Sequence, residues 1–265
     1  MKFKKYTLSN GYQIPVIGFG TYKLQGTEAK EMTAQAIDHH YRLIDTASMY
    51  ANEKEIGLAV RKAIGEGKVR QDLFVVTKVW KDDMGYEKAK VAFEKSFEEL
   101  GLSYVDLVLI HWPDASNEVN LETWRALEEL YQRDKRIRAI GVSNFNEEQL
   151  QYLFDHGTIK PMVNQFESFP GNSQQALLDF CQKEDMVAMA YRPIDRGSIL
   201  EEPILKTLAE KYDKTPAQIA LRLSLDRQMI PIPKTSRPER LIENYNLFDF
   251  ELTDAEVTQL LQLDK

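Results

Sequence analysis

Cysteine is nearly absent from this chain of 265 residues, in which Cys181 stands alone. One cysteine forms no internal disulfide and rules out a zinc site built from cysteines. A core of this size also needs neither a disulfide nor a structural metal for stability. We therefore expect a protein of a reducing compartment, the cytoplasm.

Long apolar runs and a basic excess are missing too. The longest apolar stretches have the length of a strand, and no apolar run follows the basic N-terminus. Neither a membrane span nor a secretory signal is therefore expected. The net charge of −7 argues against a nucleic-acid partner, which would require a concentrated basic face. No low-complexity tract or linker divides residues 1–265, so we predict one domain, and we expect a monomer.

The chain does contain a regular alternation of apolar runs and helical patterns. Eight runs recur: VIGFGT, RLIDTA, LFVVTK, VDLVLIH, IRAIGVSN, MVNQFE, MVAMAY and MIPIPK. Such runs are typical of strands buried on both faces of a parallel sheet. An open doubly wound sheet and a closed barrel are both compatible, and the strand count favours an α/β fold of the (β/α)8 TIM-barrel type. The first segment, KFKKYTLSNGYQIP, is predicted to form a hairpin that turns at Asn10-Gly11 and caps the bottom of the barrel.

Capping signals mark the start of several predicted helices. Asn52 precedes an amphipathic stripe and is the predicted N-cap of that helix. Thr215 with Gln218, and Thr253 with Glu256, have the spacing of capping boxes. These positions predict where helices begin.

Polar residues end many of the apolar runs. They are Asp45, Lys78, His111, Ser143 with Asn144, Gln165 and Lys234. The C-terminal ends of barrel strands form the active site in this architecture. Any one ending is also explained by a strand leaving the core, since loop-facing positions are commonly polar. Six endings with complementary chemistry favour a catalytic face.

Asp45 and Lys78 form the sharpest pair. Each charge follows a hydrophobic strand directly, so each is expected to be partly desolvated and to require a partner. Tyr50 lies close by in the sequence, and a nearby ammonium would lower the pKa of its phenol from about 10 toward neutrality. Tyr50 would then donate a proton while His111 holds a substrate oxygen. A buried salt bridge beside a core tyrosine and a hydrogen-bonded histidine is the structural alternative.

Phosphate binding is predicted near the C-terminus rather than at glycines. The segment Gly18–Gly20 lacks the six-residue dinucleotide fingerprint, and a lone GxG is equally typical of a tight strand exit. The segment KTSRPERLIEN instead places cations and hydroxyls at the start of a predicted helix, where free N–H groups favour phosphate. The cationic and hydroxyl residues of this segment are Lys234, Thr235, Ser236, Arg237 and Arg240. A solvated basic loop is the alternative.

These segments together resemble the aldo-keto reductase family. The matching stretches are GFGTYK, IDTASMYANEKEIG, TKVW, LGLSYVDLVLIHWP, IRAIGVSNF, VNQFE and IPKTSRPERLIEN, in the family's order and over nearly the whole chain. The chain looks like a short bacterial-type member, similar to 2,5-diketo-D-gluconate and methylglyoxal reductases. The resemblance implies a (β/α)8 barrel, NADPH/NADP+ as cofactor, and reduction of small aldehydes, α-dicarbonyls or keto-sugars to alcohols by hydride transfer.

The resemblance also implies roles for residues. The catalytic tetrad would be Asp45, Tyr50, Lys78 and His111: Tyr50 as proton donor, Lys78 lowering its pKa, Asp45 anchoring Lys78, and His111 orienting the carbonyl. The cofactor contacts would be Gly20, Thr21, Tyr22, Ser143, Asn144, Gln165, Tyr191, Arg192, Lys234, Thr235, Ser236, Arg237, Arg240, Glu243 and Asn244. Tyr191 would stack on the nicotinamide ring, whose carboxamide Ser143, Asn144 and Gln165 would hold. The 2′-phosphate would contact Lys234, Thr235 and Arg240, and Glu243 and Asn244 would lie near the adenine. Tyr22, Trp80 and Trp112 would line an apolar substrate cleft, and no metal is expected.

Three features depart from the family pattern. Arg192 stands where a serine normally contacts the pyrophosphate. The segment Glu167–Pro170 reads ESFP, which alters one wall of the cleft. The chain stops at Lys265 without the long tail of members with narrow specificity, so we expect an open cleft and broad substrate selection. None of these features touches the tetrad.

Two other functions stay open on the sequence. A barrel lyase that uses Lys78 as a Schiff base would also need a desolvated lysine, but it would need neither Tyr50 nor the cationic segment. An NADPH-binding regulatory or structural protein without turnover would keep the cofactor site, since a shared fold does not settle function. The intact tetrad argues against it.

Overall fold

Eight parallel strands form the centre of the structure, a computed structural model that describes residues 4–264. Two short strands come first in the chain and form a separate antiparallel pair, β1 (Lys5–Thr7) and β2 (Gln13–Pro15). The eight strands of the central sheet are β3 (Gly18–Gly20), β4 (Leu43–Asp45), β5 (Phe74–Val79), β6 (Leu107–Ile110), β7 (Ile140–Ser143), β8 (Val163–Glu167), β9 (Val187–Tyr191) and β10 (Ile230–Pro231). Each strand of the sheet pairs with the next one along the chain. All eight apolar runs are thus confirmed as strands.

Helices fill every gap between consecutive strands of this sheet. They are α1 (Gly26–Asp38), α2 (Glu53–Gly65), α3 (Tyr86–Leu100), α4 (Asn117–Arg133), α5 (Glu147–His156), α6 (Gln175–Lys183), α7 (Pro203–Tyr212) and α8 (Pro216–Asp226), followed after β10 by α9 (Pro238–Tyr245) and α10 (Asp254–Leu261). No helix within residues 4–264 is long and apolar enough to cross a membrane. The alternation confirms the predicted (β/α)8 architecture.

Two glycines let the first strand close against the last. The Gly20 N–H donates to the Pro233 carbonyl at 3.1 Å, which links the end of β3 to the end of β10. A Cβ at Gly20 would lie 2.9 Å from the Ile232 carbonyl oxygen, and one at Gly18 would lie 2.3 Å from a methyl carbon of Leu43. A side chain at Gly20 would meet backbone, and one at Gly18 would displace the side chains of Leu43 and Ile232. The GxG sequence therefore serves barrel closure.

The N-terminal hairpin covers the end of the barrel where strands begin. Gly11 turns the chain between β1 and β2 with a φ of 86°, and the Asn10 side chain donates to the Arg138 carbonyl at 2.9 Å, just before β7. The hairpin and its position are as predicted. Lys2 and Phe3, which the predicted hairpin segment included, lie outside the described residues.

The capping predictions have mixed outcomes. Thr215 and Thr253 each accept a hydrogen bond from the third residue of their helix in complete capping boxes, so both predictions are confirmed. Asn52 occupies the N-cap position of α2, but its side chain makes no capping bond. The predicted position is confirmed, but the capping bond is absent, because Asn52 Oδ1, the atom that would accept it, accepts from the Thr46 hydroxyl.

Candidate active site

The C-terminal ends of β4 and β5 bring Asp45, Tyr50 and Lys78 together. Because the two strands are paired, the Lys78 Nζ reaches Asp45 Oδ1 at 2.7 Å. The same Nζ lies 3.3 Å from the Tyr50 hydroxyl and donates to the Thr46 carbonyl at 3.0 Å. The Lys78 side chain is 0 % exposed and that of Asp45 is 3 % exposed. The result is a desolvated ion pair with a phenol beside it.

Opposing effects set the pKa of Lys78. Burial lowers it, but the Asp45 carboxylate and the Tyr50 hydroxyl together outweigh burial and raise the pKa above the ordinary value of a lysine. Asp45 is held in turn by the Gln165 side-chain amide, which donates to its Oδ2 at 2.8 Å. Lys78 is therefore an ammonium at neutral pH.

Tyr50 ends a short 3-10 helix, Ser48–Tyr50, and faces two other rings. Its ring centroid lies 5.0 Å from that of Tyr22 and 5.6 Å from that of His111. Burial raises the pKa of the Tyr50 phenol, and the Lys78 ammonium opposes burial without overcoming it. The predicted lowering of this pKa is therefore wrong for the free protein, because desolvation of the phenolate exceeds the attraction of the ammonium. The phenol is protonated at neutral pH.

His111 follows β6 directly and is buried. Burial, together with the Lys78 ammonium, lowers the pKa of its imidazole to about 2. Its Nδ1 is buried and has no hydrogen-bond partner among the described residues. The ring of Trp80 packs edge-on against it at 5.0 Å. A neutral imidazole in this place has an N–H to donate and carries no charge at neutral pH.

The predicted cleft residues adjoin this cluster. Tyr22 is 40 % exposed and Trp112 is 42 % exposed, whereas Trp80 is half-buried. Met49, next to Tyr50, is exposed as well. Sequence reasoning did not single out Met49, since a lone methionine between a strand and the start of a helix carries no pattern. Apolar surface therefore adjoins the ion pair and the phenol.

Side chains on the neighbouring strands form a second network. The Ser143 hydroxyl donates to the Gln165 carbonyl at 2.7 Å, and the Tyr191 hydroxyl donates to Asn144 Oδ1 at 2.8 Å. The Asn144 amide donates to the His111 carbonyl at 3.0 Å. The four residues predicted to contact the nicotinamide portion thus lie together, and their bonds reach the tetrad through His111.

Arg192, whose orientation the sequence left open, pairs with Glu167. Its guanidinium lies 2.8 Å from Glu167 Oε1, so the pair joins the end of β8 to the residue after β9. Both side chains are about one-third exposed, at 37 % and 30 %. The positive charge of Arg192 is therefore shared with a carboxylate in the free protein.

The predicted phosphate site lies between β10 and α9. Thr235 is buried and its hydroxyl accepts from the Arg237 N–H at 3.0 Å. The exposed members are Lys234, Ser236, Arg237 and Arg240. Within residues 4–264, none of these three cations has a carboxylate at ion-pairing distance. The start of α9 therefore presents cations that pair with no carboxylate of the described residues.

Other predicted cofactor contacts are engaged within the protein. Thr21 is fully buried, and its hydroxyl donates to the Asp45 carbonyl at 2.9 Å. Glu243 accepts from the Thr215 hydroxyl at 2.7 Å, and Asn244 is 5 % exposed. Thr21 in particular holds the backbone of a tetrad residue. In the part of the chain that the structure describes, no three His, Cys, Asp or Glu side chains form a group suited to a metal ion.

A family model described as the Aldo/keto reductase family matches residues 16–265. The chain belongs to this family. This aldo/keto reductase is 43 % identical over 259 residues to the glyoxal reductase of Bacillus subtilis (strain 168), over 97 % of the chain and 92 % of that protein. Family membership confirms the resemblance and the enzyme class that the sequence predicted, an oxidoreductase.

Solved structures of relatives share the fold. An aldo-keto reductase from a Medee basin deep-sea metagenome library superposes with a TM-score of 0.94 at 38 % identity, over 98 % of this chain and 94 % of that one. A Bombyx mori aldo-keto reductase in complex with NADP superposes with a TM-score of 0.93 at 36 % identity, over 100 % and 94 % of the two chains. The barrel of this reductase is thus the barrel of its family.

Proposed function

We propose that this aldo/keto reductase uses NADPH to reduce small aldehydes, α-dicarbonyls or keto-sugars to alcohols. The observation that carries the proposal is the buried Asp45–Lys78 ion pair, which has a protonated phenol and a neutral imidazole beside it. The relatives support the proposal, since one is a glyoxal reductase and another was solved with NADP.

The site residues fit NADPH at both of its ends. The 2′-phosphate is a dianion, and Lys234, Arg237 and Arg240 offer exposed cations beside a helix N-terminus. At the other end, the half-buried ring of Tyr191 and the amide of Asn144 suit the nicotinamide ring and its carboxamide. NADPH, when bound, supplies the hydride.

The proton would come from Tyr50. As charge develops on the substrate oxygen, Tyr50 donates its proton to that oxygen, and the Lys78 ammonium stabilises the phenolate that remains. The neutral His111 ring orients the same oxygen by donating a hydrogen bond. Asp45 keeps Lys78 charged and in place. Each group then acts in the protonation state that burial and pairing favour.

The Schiff-base alternative is disfavoured by the same geometry. A lysine attacks a carbonyl as a neutral amine, which requires a lowered pKa. Here Asp45, at 2.7 Å, and the Tyr50 hydroxyl raise the pKa of Lys78 despite its burial. Lys78 is therefore suited to stabilise a phenolate and poorly suited to be a nucleophile.

Steady-state turnover tests the proposal. NADPH oxidation would be followed by absorbance with methylglyoxal and with an aromatic aldehyde, for wild type, Tyr50→Phe and the control Tyr152→Phe on α5. We expect kcat to fall by about 10²–10⁴-fold in Tyr50→Phe, as for loss of a general acid, and to be unchanged in the control. Tight NADPH binding without turnover of any carbonyl would instead support the binding-protein alternative, and full activity of Tyr50→Phe would refute the proton-donor role.

We also propose that residues 1–265 act as one domain, as a cytoplasmic monomer without a nucleic-acid partner. The single barrel, the lone buried Cys181 and the net charge of −7 support this. Size-exclusion chromatography with light scattering would test the monomer, and a mass near twice 30.7 kDa would contradict it.

A further inference from the structure

Asn52 makes three buried hydrogen bonds that the proposed mechanism does not use. It is 0 % exposed and follows Tyr50 closely along the chain. Its Nδ2 donates to the Thr21 carbonyl at 3.0 Å and to the Leu24 carbonyl at 2.9 Å. Its Oδ1 accepts from the Thr46 hydroxyl at 2.6 Å. Both amide protons and one acceptor site are thus satisfied.

These bonds join the two loops that present neighbouring rings of the site. Thr21 and Leu24 bound the turn after β3, which carries Tyr22 and is closed by the Leu24 N–H bond to the Thr21 carbonyl at 3.0 Å. Thr46 begins the loop after β4, which carries Tyr50. The two ring centroids are 5.0 Å apart. The Asn52 side-chain amide therefore links the turn that carries Tyr22 to the loop that carries Tyr50.

The chain takes an uncommon conformation where it passes from Tyr50 to Asn52. Ala51 has a φ of 52°, in the left-handed region that few residues other than glycine adopt. Such a residue persists where its surroundings hold it in place. The bonds of Asn52 are adjacent to it, and its Oδ1 accepts from the Thr46 hydroxyl instead of capping α2.

We propose that Asn52 is a positioning residue for the reaction. By holding the Thr21 and Leu24 carbonyls, it sets the place of the Tyr50 hydroxyl relative to Lys78 and to the substrate oxygen. Without its amide, the buried Leu24 carbonyl loses its donor and the Thr21 carbonyl keeps only the Leu24 N–H, so the link between the two loops is lost. A displacement of about 1 Å in reacting groups lowers a rate by up to about a hundredfold. The inference rests on the proposed role of Tyr50 as proton donor.

Kinetics of Asn52→Ala beside a matched control test the inference. Thr253→Ala is the control, because Thr253 is a true N-cap, on α10. We expect kcat of Asn52→Ala to fall by roughly tenfold to a hundredfold. NADPH affinity is measured by fluorescence, so that kcat is compared with both proteins saturated by the cofactor. The solvent deuterium isotope effect on kcat should rise, since proton transfer becomes more rate-limiting. Thr253→Ala should be somewhat less stable than wild type and should keep the wild-type kcat and solvent isotope effect.

Amide hydrogen exchange of the ligand-free protein tests whether loss of the Asn52 amide loosens the two loops. Amide hydrogen exchange should be faster in Asn52→Ala than in wild type within residues 21–25 and 46–51, and unchanged there in Thr253→Ala. If Asn52→Ala does not fold, Asn52→Asp replaces it, because its volume is the same and its ionised carboxylate has no proton to donate. Its kcat should then fall as pH rises through ionisation of the introduced carboxyl group, with no such limb in wild type.

Two results separate this inference from the proposed function. If the folded variant matches Thr253→Ala in kcat, isotope effect and hydrogen exchange while Tyr50→Phe is inactive, the positioning role is wrong and the proposed function stands. If wild type reduces no carbonyl with NADPH, or Tyr50→Phe is fully active, the proposed function or its proton donor fails instead. Faster exchange at both loops together with the loss of kcat supports the inference.

Discussion

Replacing Asp45 by asparagine would leave the Lys78 ammonium buried without its counter-charge. The Lys78 side chain is 0 % exposed, and the Asp45 carboxylate is the main influence that opposes burial in setting the pKa of Lys78. Removing one partner of a buried ion pair costs about 3–5 kcal/mol. We therefore expect Asp45→Asn to reduce the free energy of unfolding at neutral pH by about that amount.

The loss should depend on pH with a defined sign. In wild type, folding raises the pKa of Lys78, so the stabilisation is fully present below the unfolded pKa of about 10.4 and is lost only as pH rises through the higher folded pKa. In Asp45→Asn, burial is the main remaining influence and lowers the folded pKa below the unfolded one. The variant then loses stability as pH falls and recovers it as pH rises toward the unfolded pKa, by about 1.4 kcal/mol for each unit of pKa shift.

Urea unfolding followed by tryptophan fluorescence, at mildly acid, neutral and mildly alkaline pH, measures both effects. Glu201→Gln is the matched control, since it removes the ion pair between Glu201 and Lys206 at 2.6 Å, whose side chains are exposed. An exposed pair contributes little, so the control should unfold like wild type at every pH. Equal stability of Asp45→Asn and the control at every pH, or a stability deficit that does not shrink as pH rises, would contradict a stabilising Asp45–Lys78 pair.

Three further predictions concern the cofactor and pH. Arg240→Ala should raise the Kd for NADPH by about tenfold or more and leave the Kd for NADH unchanged, because only NADPH carries the 2′-phosphate. The control Arg133→Ala, on α4, should alter neither constant, and fluorescence titration measures both. Glu167→Gln should lower the Kd for NADPH, because it frees the Arg192 guanidinium that Glu167 holds at 2.8 Å, and an unchanged Kd would place the pyrophosphate elsewhere. Since the pKa of His111 is lowered to about 2, kcat/KM should show no ionisation near pH 6.5, the ordinary histidine value, and a limb there would contradict a neutral His111.

The architecture could be predicted because its signals are local. Each of the eight strands is a continuous apolar run, and burial on both faces of a parallel sheet leaves that pattern whatever the strand's neighbours are. Thr215 and Thr253 cap their own helices, so their signals lie within a few residues. The hairpin turn at Gly11 is equally local. The pairing of Asp45 with Lys78 followed from consecutive strands being neighbours.

What the sequence missed or left open was decided between segments outside the local pattern. Asn52 has the local signal of an N-cap and occupies that position, yet its side chain bonds to Thr46, Thr21 and Leu24 instead of capping the helix. Whether Arg192 turns toward solvent or toward Glu167 depends on the relative height of β8 and β9, which the sequence does not encode locally. The direction of the pKa shift of Tyr50 was predicted wrongly. The sequence identifies Lys78 as the charged neighbour that lowers this pKa, but it does not give the depth of burial that raises it.

The corrected pKa of Tyr50 bears on the direction of the proposed reaction. Reduction requires a protonated phenol, which is the form at neutral pH for the ordinary pKa of about 10 and still more so for the pKa that burial raises. Oxidation of an alcohol would require the phenolate as base, which burial disfavours and which only the Lys78 ammonium stabilises. The free protein is therefore prepared for proton donation at neutral pH, and the reverse direction should gain as pH rises. Burial thus holds Tyr50 in the protonation state that carbonyl reduction requires, and the Lys78 ammonium is the group that eases loss of its proton during the reaction.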